Sequence, residues 1–188
     1  MFIFLPAALA ALSGCFGGAA PKAPAHWTVE PQAASVERSV APRRAAVRVA
    51  GVTVRAPYDG MRLAVMRRGG SLASDPCNSF AASPAAILRG AAQDVVEASG
   101  VFAGVVAANS SASVPLALEV TVRRLALDCR VEGARSALVE LTAVLVGGGR
   151  EVVATARGEA SIPAISGDYS AAFSSAFSSA LAEALKRL

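Results

Sequence analysis

The chain has 188 residues, 54% hydrophobic and 17% charged, with a formal net charge of +4. That length fits one domain, and much of the apolar share is alanine, which implies a core rich in small residues. The mild positive excess suits an anionic lipid or glycolipid surface. Nucleic acid is a poor partner, because no basic stripe is interleaved with aromatics.

The first element is an uncharged apolar run from Met1 that ends in Leu12-Ser13-Gly14-Cys15. A leucine, two small residues and a cysteine after such a run look like a bacterial lipobox. Residues 1–14 then read as a lipoprotein signal peptide, removed in the mature protein. Cys15 becomes the lipidated N-terminus, carrying a thioether-linked diacylglycerol and usually a third acyl chain. Several acyl chains exceed the two signals that stable anchoring needs. A transmembrane helix would need about 20 apolar residues, and this run carries Pro6 and dissolves into Gly17-Gly18. An ordinary signal peptide would need an A-x-A-like site, which is not at the right place. No Lys or Arg precedes the run, a departure that points to a start codon upstream.

Residues 15–44 read as the lipidated cysteine and a flexible Gly-, Ala- and Pro-rich tether, with a short strand near 26–29 that holds the only tryptophan, Trp27. Residues 45–188 form the single folded domain. Val47-Arg48-Val49 and Val52-Thr53-Val54 alternate as strand residues do, with Gly51 shifting the phase between them. Pro57-Tyr58-Asp59-Gly60 is turn chemistry. Met61 to Met66 resumes as a strand, which Arg67-Arg68-Gly69-Gly70 ends. Ser83-Pro84 starts a helix, with Ser83 as N-cap. Ile87, Leu88, Ala91, Val95 and Ala98 line its buried face, and Gly100 stops it. Val101 to Ala107 reads as a strand.

Three long strands follow. Leu116, Leu118, Val120 and Val122 share a face, and Leu125 and Leu127 fall out of phase, which predicts a β-bulge near Arg123-Arg124. Ala137 to Leu145 and Val152 to Ile162 carry the next two stripes, joined as antiparallel hairpins. A closing helix from about Asp168 to Leu188 aligns Tyr169, Phe173, Phe177, Leu181, Leu185 and Leu188. The expected fold class is α+β: two layers, a mainly antiparallel curved sheet with two helices packed on one face.

With Cys15 lipidated, Cys77 and Cys129 are left as a pair. In an oxidising compartment such a pair is read first as a disulfide, worth about 4 kcal/mol for a loop of this size. The alternative is two unrelated buried thiols. Two thiolates do not complete a zinc site, and the only histidine, His26, lies far away in sequence. No metal site and no cofactor is expected. No ordered Ser-His or Cys-His pair and no G-x-S-x-G elbow is evident, and Gly147-Gly148-Gly149-Arg150 fits a hairpin turn better than a phosphate loop. The expectation is a protein that is not an enzyme. The Arg-Arg pairs at 43–44, 67–68 and 123–124 read as solvated edges.

The order of features resembles the ABC-type transport auxiliary lipoprotein family, which includes the paraquat-inducible-operon C lipoprotein. The resemblance runs from about residue 26 to 188. It rests on the lipobox, His26-Trp27-Thr28-Val29, Pro57-Tyr58-Asp59-Gly60, the strand Met61 to Arg67, Phe80 before the helix, and Ala98-Ser99-Gly100-Val101-Phe102. The chain departs from the family at Phe80, where Trp is common, and at Met66, where Tyr is usual. The resemblance implies a non-enzymatic partner of an envelope lipid-transport system, working with an inner-membrane ABC permease and a periplasmic MCE-domain protein. Contact with the lipid membrane would come through Cys15, and a homo-oligomer is compatible with the family. Phe16 after the lipidated cysteine points to the outer membrane, facing the periplasm. The other reading is an outer-membrane assembly lipoprotein, accessory to a lipopolysaccharide translocon or a cell-wall synthase.

Overall fold

The computed structural model describes residues 25–30, 36–40 and 43–188. The expected signal peptide, Cys15 and the expected tether up to residue 24 lie outside them. In chain order the elements are β1 (Ala25–Trp27), β2 (Val47–Val54), β3 (Arg62–Arg67), β4 (Leu72–Phe80), α1 (Pro84–Ser99), β5 (Val105–Val106), β6 (Leu116–Cys129), β7 (Ser136–Gly147), β8 (Val152–Pro163) and α2 (Tyr169–Arg187).

One strand sets the layout. β7 runs antiparallel to β6 from Leu116 to Asp128, filling one of its edges. The other edge is shared end to end: β2 pairs parallel with residues 116–122 and β3 with residues 127–129. Between them the chain leaves the ladder through a turn that contains the cis Ala56–Pro57 peptide. β4 pairs antiparallel with β3, β1 parallel with β4, β5 parallel with β2, and β8 antiparallel with β7. The result is an open α+β sheet whose longest ladders are the two hairpins β6–β7 and β7–β8.

Two phase changes in the sequence become bulges. The β6–β7 register slips between Val122 and Arg124, as the out-of-phase Leu125 and Leu127 require. The β2–β6 register slips between Val49 and Gly51. Both slips keep apolar side chains on the helix-covered face on either side of the irregularity. Val49, Val52, Val122 and Leu125 are therefore all buried in one core.

The helices share that face and each other. Gly100, at φ 64°, closes α1 in the left-handed conformation expected of a terminal glycine. Ser83 sits at the N-cap, but its side chain makes no capping bond; its carbonyl instead accepts from the amides of Ala86 and Ile87. The buried face of α1 is Leu88, Ala91, Ala92, Val95 and Val96, rotated slightly from the expected stripe, which leaves Ile87 and Ala98 half-buried. In α2 the expected stripe is buried from Tyr169 to Leu185, and the Asp168 carboxylate caps the helix by accepting from the Ala171 amide at 3.0 Å.

One expectation fails, and one strand lies in a stretch without an assignment. Val101–Ala107 is not a continuous strand. Only Val105–Val106 pairs with β2, and Phe102 forms an isolated bridge with Arg44, because the chain ahead of β2 takes the backbone groups of Val101 and Ala103. β4 had no strand signature, since Asp75-Pro76-Cys77-Asn78 are turn-type residues. The register explains this: Ser74 pairs with Ala64 and Ser79 with Arg62, so five steps of β4 span two of β3. Asp75 accepts the amides of Cys77 and Asn78 inside this wide irregularity, and Pro76 needs no donor there.

β3 is buried on both faces. Leu63 and Val65 face the helices, while Ala64 and Met66 join Ala126 and Leu138 in a small cluster on the other side. Tyr58, carried by the turn between β2 and β3, packs against that second cluster.

α2 lies unusually close to β8. A Cβ on Gly158 would stand 1.8 Å from the Ala180 carbonyl oxygen, so only glycine permits this approach. Gly158→Ala is expected to lower stability by about 1–3 kcal/mol, as overpacking does, read as a lower urea midpoint with an unchanged slope.

Candidate functional site

The N-terminal segment is fastened to the domain by side chains rather than by a long ladder. β1 makes three register pairs with β4. Trp27 adds ring contacts to Phe80 at 4.6 Å, Phe173 at 5.5 Å and Tyr169 at 6.4 Å between centroids. Such contacts contribute about 0.5–1.5 kcal/mol each beyond area burial. Further along, Ser170 donates to the Thr28 carbonyl at 2.6 Å, and the Glu30 amide donates to Ser174 Oγ at 2.9 Å. Glu37 and Arg44 then reach the far end of α2. Lys186 pairs with Glu37 at 2.6 Å, and Arg44 donates to the Leu188 carbonyl.

The residues that carry the family resemblance therefore occupy packing positions. Trp27 and Phe80 form the aromatic cluster, Tyr58 packs over the outer face, and Gly100 turns the chain so that Phe102 is buried. The arginine pairs divide. Arg44 is tied to the C-terminus, Arg124 pairs with Glu140, and Arg68 pairs with Glu132 at 2.8 Å on an exposed turn.

Cys77 and Cys129 line one open cleft, between the β4 irregularity, the β6–β7 turn and the start of α2. Both are free thiols and both are half-buried. Asp75, Asn78, Arg135 and Tyr169 complete the polar side of the cleft, and Arg135 donates to the Tyr169 hydroxyl at 3.0 Å. Burial is the main cause that pushes the Cys129 thiol above its usual range, with Arg135 pulling the other way. Among the described residues no group of three or more His, Cys, Asp or Glu is placed to hold a metal ion.

One pairing escaped the sequence reading. Ser79 Oγ lies 2.8 Å from His26 Nδ1, so a Ser-His contact exists where none was expected. The two residues are register partners on β1 and β4, and the contact is exposed, so it serves as a cross-strand tie. No sequence signal marks it, because the parallel β1–β4 pairing joins residues 53 positions apart. The Arg135–Tyr169 contact was equally invisible, since it needs the β6–β7 turn and the start of α2 to meet.

The crystal structure of a Xanthomonas campestris protein of the family DUF330 superposes with a TM-score of 0.63. It is 26% identical and covers 86% of this chain and 89% of its own. This chain has the fold of a DUF330 protein. An uncharacterized protein of known structure matches at TM-score 0.62, 13% identical, over 88% of this chain and 95% of its own. A PelC dodecamer from Paraburkholderia phytofirmans is 19% identical, at TM-score 0.43, over 82% of this chain and 98% of its own. No family model matches the sequence, and no curated protein does. Among the described residues, no helix is long and apolar enough to cross a membrane.

Two outcomes are expected from this geometry. Phe80→Ala should cost about 3–5 kcal/mol, as loss of a buried aromatic does, and the emission of Trp27 should report the loosened cluster directly. Maleimide added before any reductant should modify both Cys77 and Cys129. Because its pKa is raised, Cys129 should react slowly near pH 8 and accelerate as pH rises further. Mass mapping of the labelled peptides checks both.

Proposed function

We propose that this chain is a lipid-anchored auxiliary component of an ABC/MCE-type envelope lipid-transport system, non-enzymatic and held at the outer membrane facing the periplasm. The observation that carries the reading is the likeness to the DUF330 protein over nearly the whole domain. DUF330 is the family of ABC-type transport auxiliary lipoproteins, the same family that the sequence motifs resemble. The lipobox ending at Cys15 supports the same conclusion independently, because it supplies the anchor that such a component needs.

The role is docking. Acyl chains at Cys15 fix the protein to a leaflet, and the folded domain engages the periplasmic MCE-domain protein and, through it, the inner-membrane permease. The open cleft supplies hydrogen-bonding groups and two thiols at the domain surface.

In-cell crosslinking of the tagged full chain, followed by mass spectrometry, tests the reading. The expected result is recovery of an MCE-domain protein or its permease, with Cys15 acylated. Recovery of only a β-barrel or a cell-wall synthase would overturn it in favour of an assembly lipoprotein.

A further inference from the structure

The direction of β1 sets which end of the domain its N-terminal end points toward. β4 starts at Leu72, beside Met66 near the end of β3, and runs away from the β3–β4 turn. β1 is parallel to β4, with Ala25 opposite Asn78. The N-terminal end of β1, at Ala25, therefore points toward the end where β3 turns into β4. The β6–β7 turn is at the same end, because Arg67 pairs with Cys129 and Arg68 bonds Glu132 across the two turns. So is the β8–α2 connection, because Ser136 pairs with Pro163 and the Ala164 amide donates to the Arg135 carbonyl at 2.8 Å.

Each of these three connections offers an aliphatic side chain to solvent. Leu72 is 39% exposed, Val131 69% and Ile165 76%. None of the three belongs to the buried core, so each is free to enter an apolar environment at no cost to the packing. Only residues 16–24 separate Cys15 from Ala25. A segment of nine residues spans at most about 30 Å when extended and roughly 17 Å as a flexible coil.

We infer that the end formed by the β3–β4, β6–β7 and β8–α2 connections rests on the phospholipid surface that holds the acylated Cys15, with Leu72, Val131 and Ile165 entering the headgroup region. The inference deepens the anchored reading above and rests on it. Charge at this end is largely compensated, since Glu132 is held by Arg68 and Asp128 by Arg130. Shallow apolar insertion, rather than attraction to anionic lipid, then provides the contact, so salt should affect it little. The opposite end, with the β7–β8 hairpin and the exposed Val152, faces away from the leaflet and toward the partners.

The test uses the full, lipidated chain with Cys77→Ser and Cys129→Ser, reconstituted in phosphatidylcholine vesicles. Val131→Cys, Ile165→Cys or Val152→Cys is introduced singly and labelled with an environment-sensitive fluorophore. Labels at 131 and 165 should shift to the blue and lose quenching by aqueous iodide, at low and high salt alike, while the label at 152 should do neither. With Cys15 acylation verified by mass spectrometry, labels at 131 and 165 that quench as readily as the label at 152 would overturn the inference and leave the anchor standing. A chain recovered without acylation would remove the anchor, and this inference with it. All three positions are exposed, so far-UV circular dichroism should show folded variants.

Discussion

The sheet depends on how β6 divides its second edge. A strand has only two edges, and β7 takes one over nearly the full length of β6. To cover the other, the chain lays down β2, leaves, and returns as β3 in the same direction. The departure is the stretch 55–61, where the Arg55 amide still bonds the Val122 carbonyl before the chain turns away. The β6 bulge falls beside that gap in the partner edge, between Val122 and Arg124. Bulges bend and twist a strand, so the sheet changes direction where its partner changes from β2 to β3. The same excursion brings Tyr58 against the cluster of Ala64, Met66, Ala126 and Leu138, which covers the second apolar face of β3.

Legibility followed the range of the physics involved. The bulges at Gly51 and Arg123, the cap at Gly100 and the stripe of α2 are local periodicities, and each appears where the residues place it. β4 could not be read in the same way. Its Asp75-Pro76 pair favours turns on local grounds, and strand geometry is imposed by β3 on one side and β1 on the other. Tertiary pairing overrides propensity most easily in a strand interrupted by an irregularity. Val101–Ala107 failed in the opposite sense. Its residues favour a strand, but Arg44 captures the backbone groups of Val101 and Ala103, leaving a two-residue ladder.

The cleft was half legible. Cysteine counting singled out Cys77 and Cys129, and both reach the same cleft although one lies on β4 and the other on β6. Their neighbours were not foreseeable, because Asp75 owes its position to the β4 irregularity and Tyr169 to the entry of α2. Burial at Cys129 raises the thiol above its usual range, which disfavours the nucleophilic thiolate.

The attachment of β1 has a mechanical logic. Any pull on the chain ahead of Ala25 enters the domain through a three-residue strand at the edge of the sheet. Three register pairs alone would peel easily, since a short edge strand has few ladder bonds to share a load. Trp27 changes this by inserting among Phe80, Tyr169 and Phe173, so detachment must expose an aromatic cluster rather than break backbone bonds one by one. The hydrogen bonds of Thr28 and Glu30 to Ser170 and Ser174 continue the attachment onto α2. α2 is itself seated against β8 at Gly158. Tension entering at β1 is thereby passed to the helix and from there to the β7–β8 ladder, the part of the fold with the longest continuous pairing outside β6. The only tryptophan in the chain stands on this short edge strand, and the packing around it explains why an aromatic is needed there.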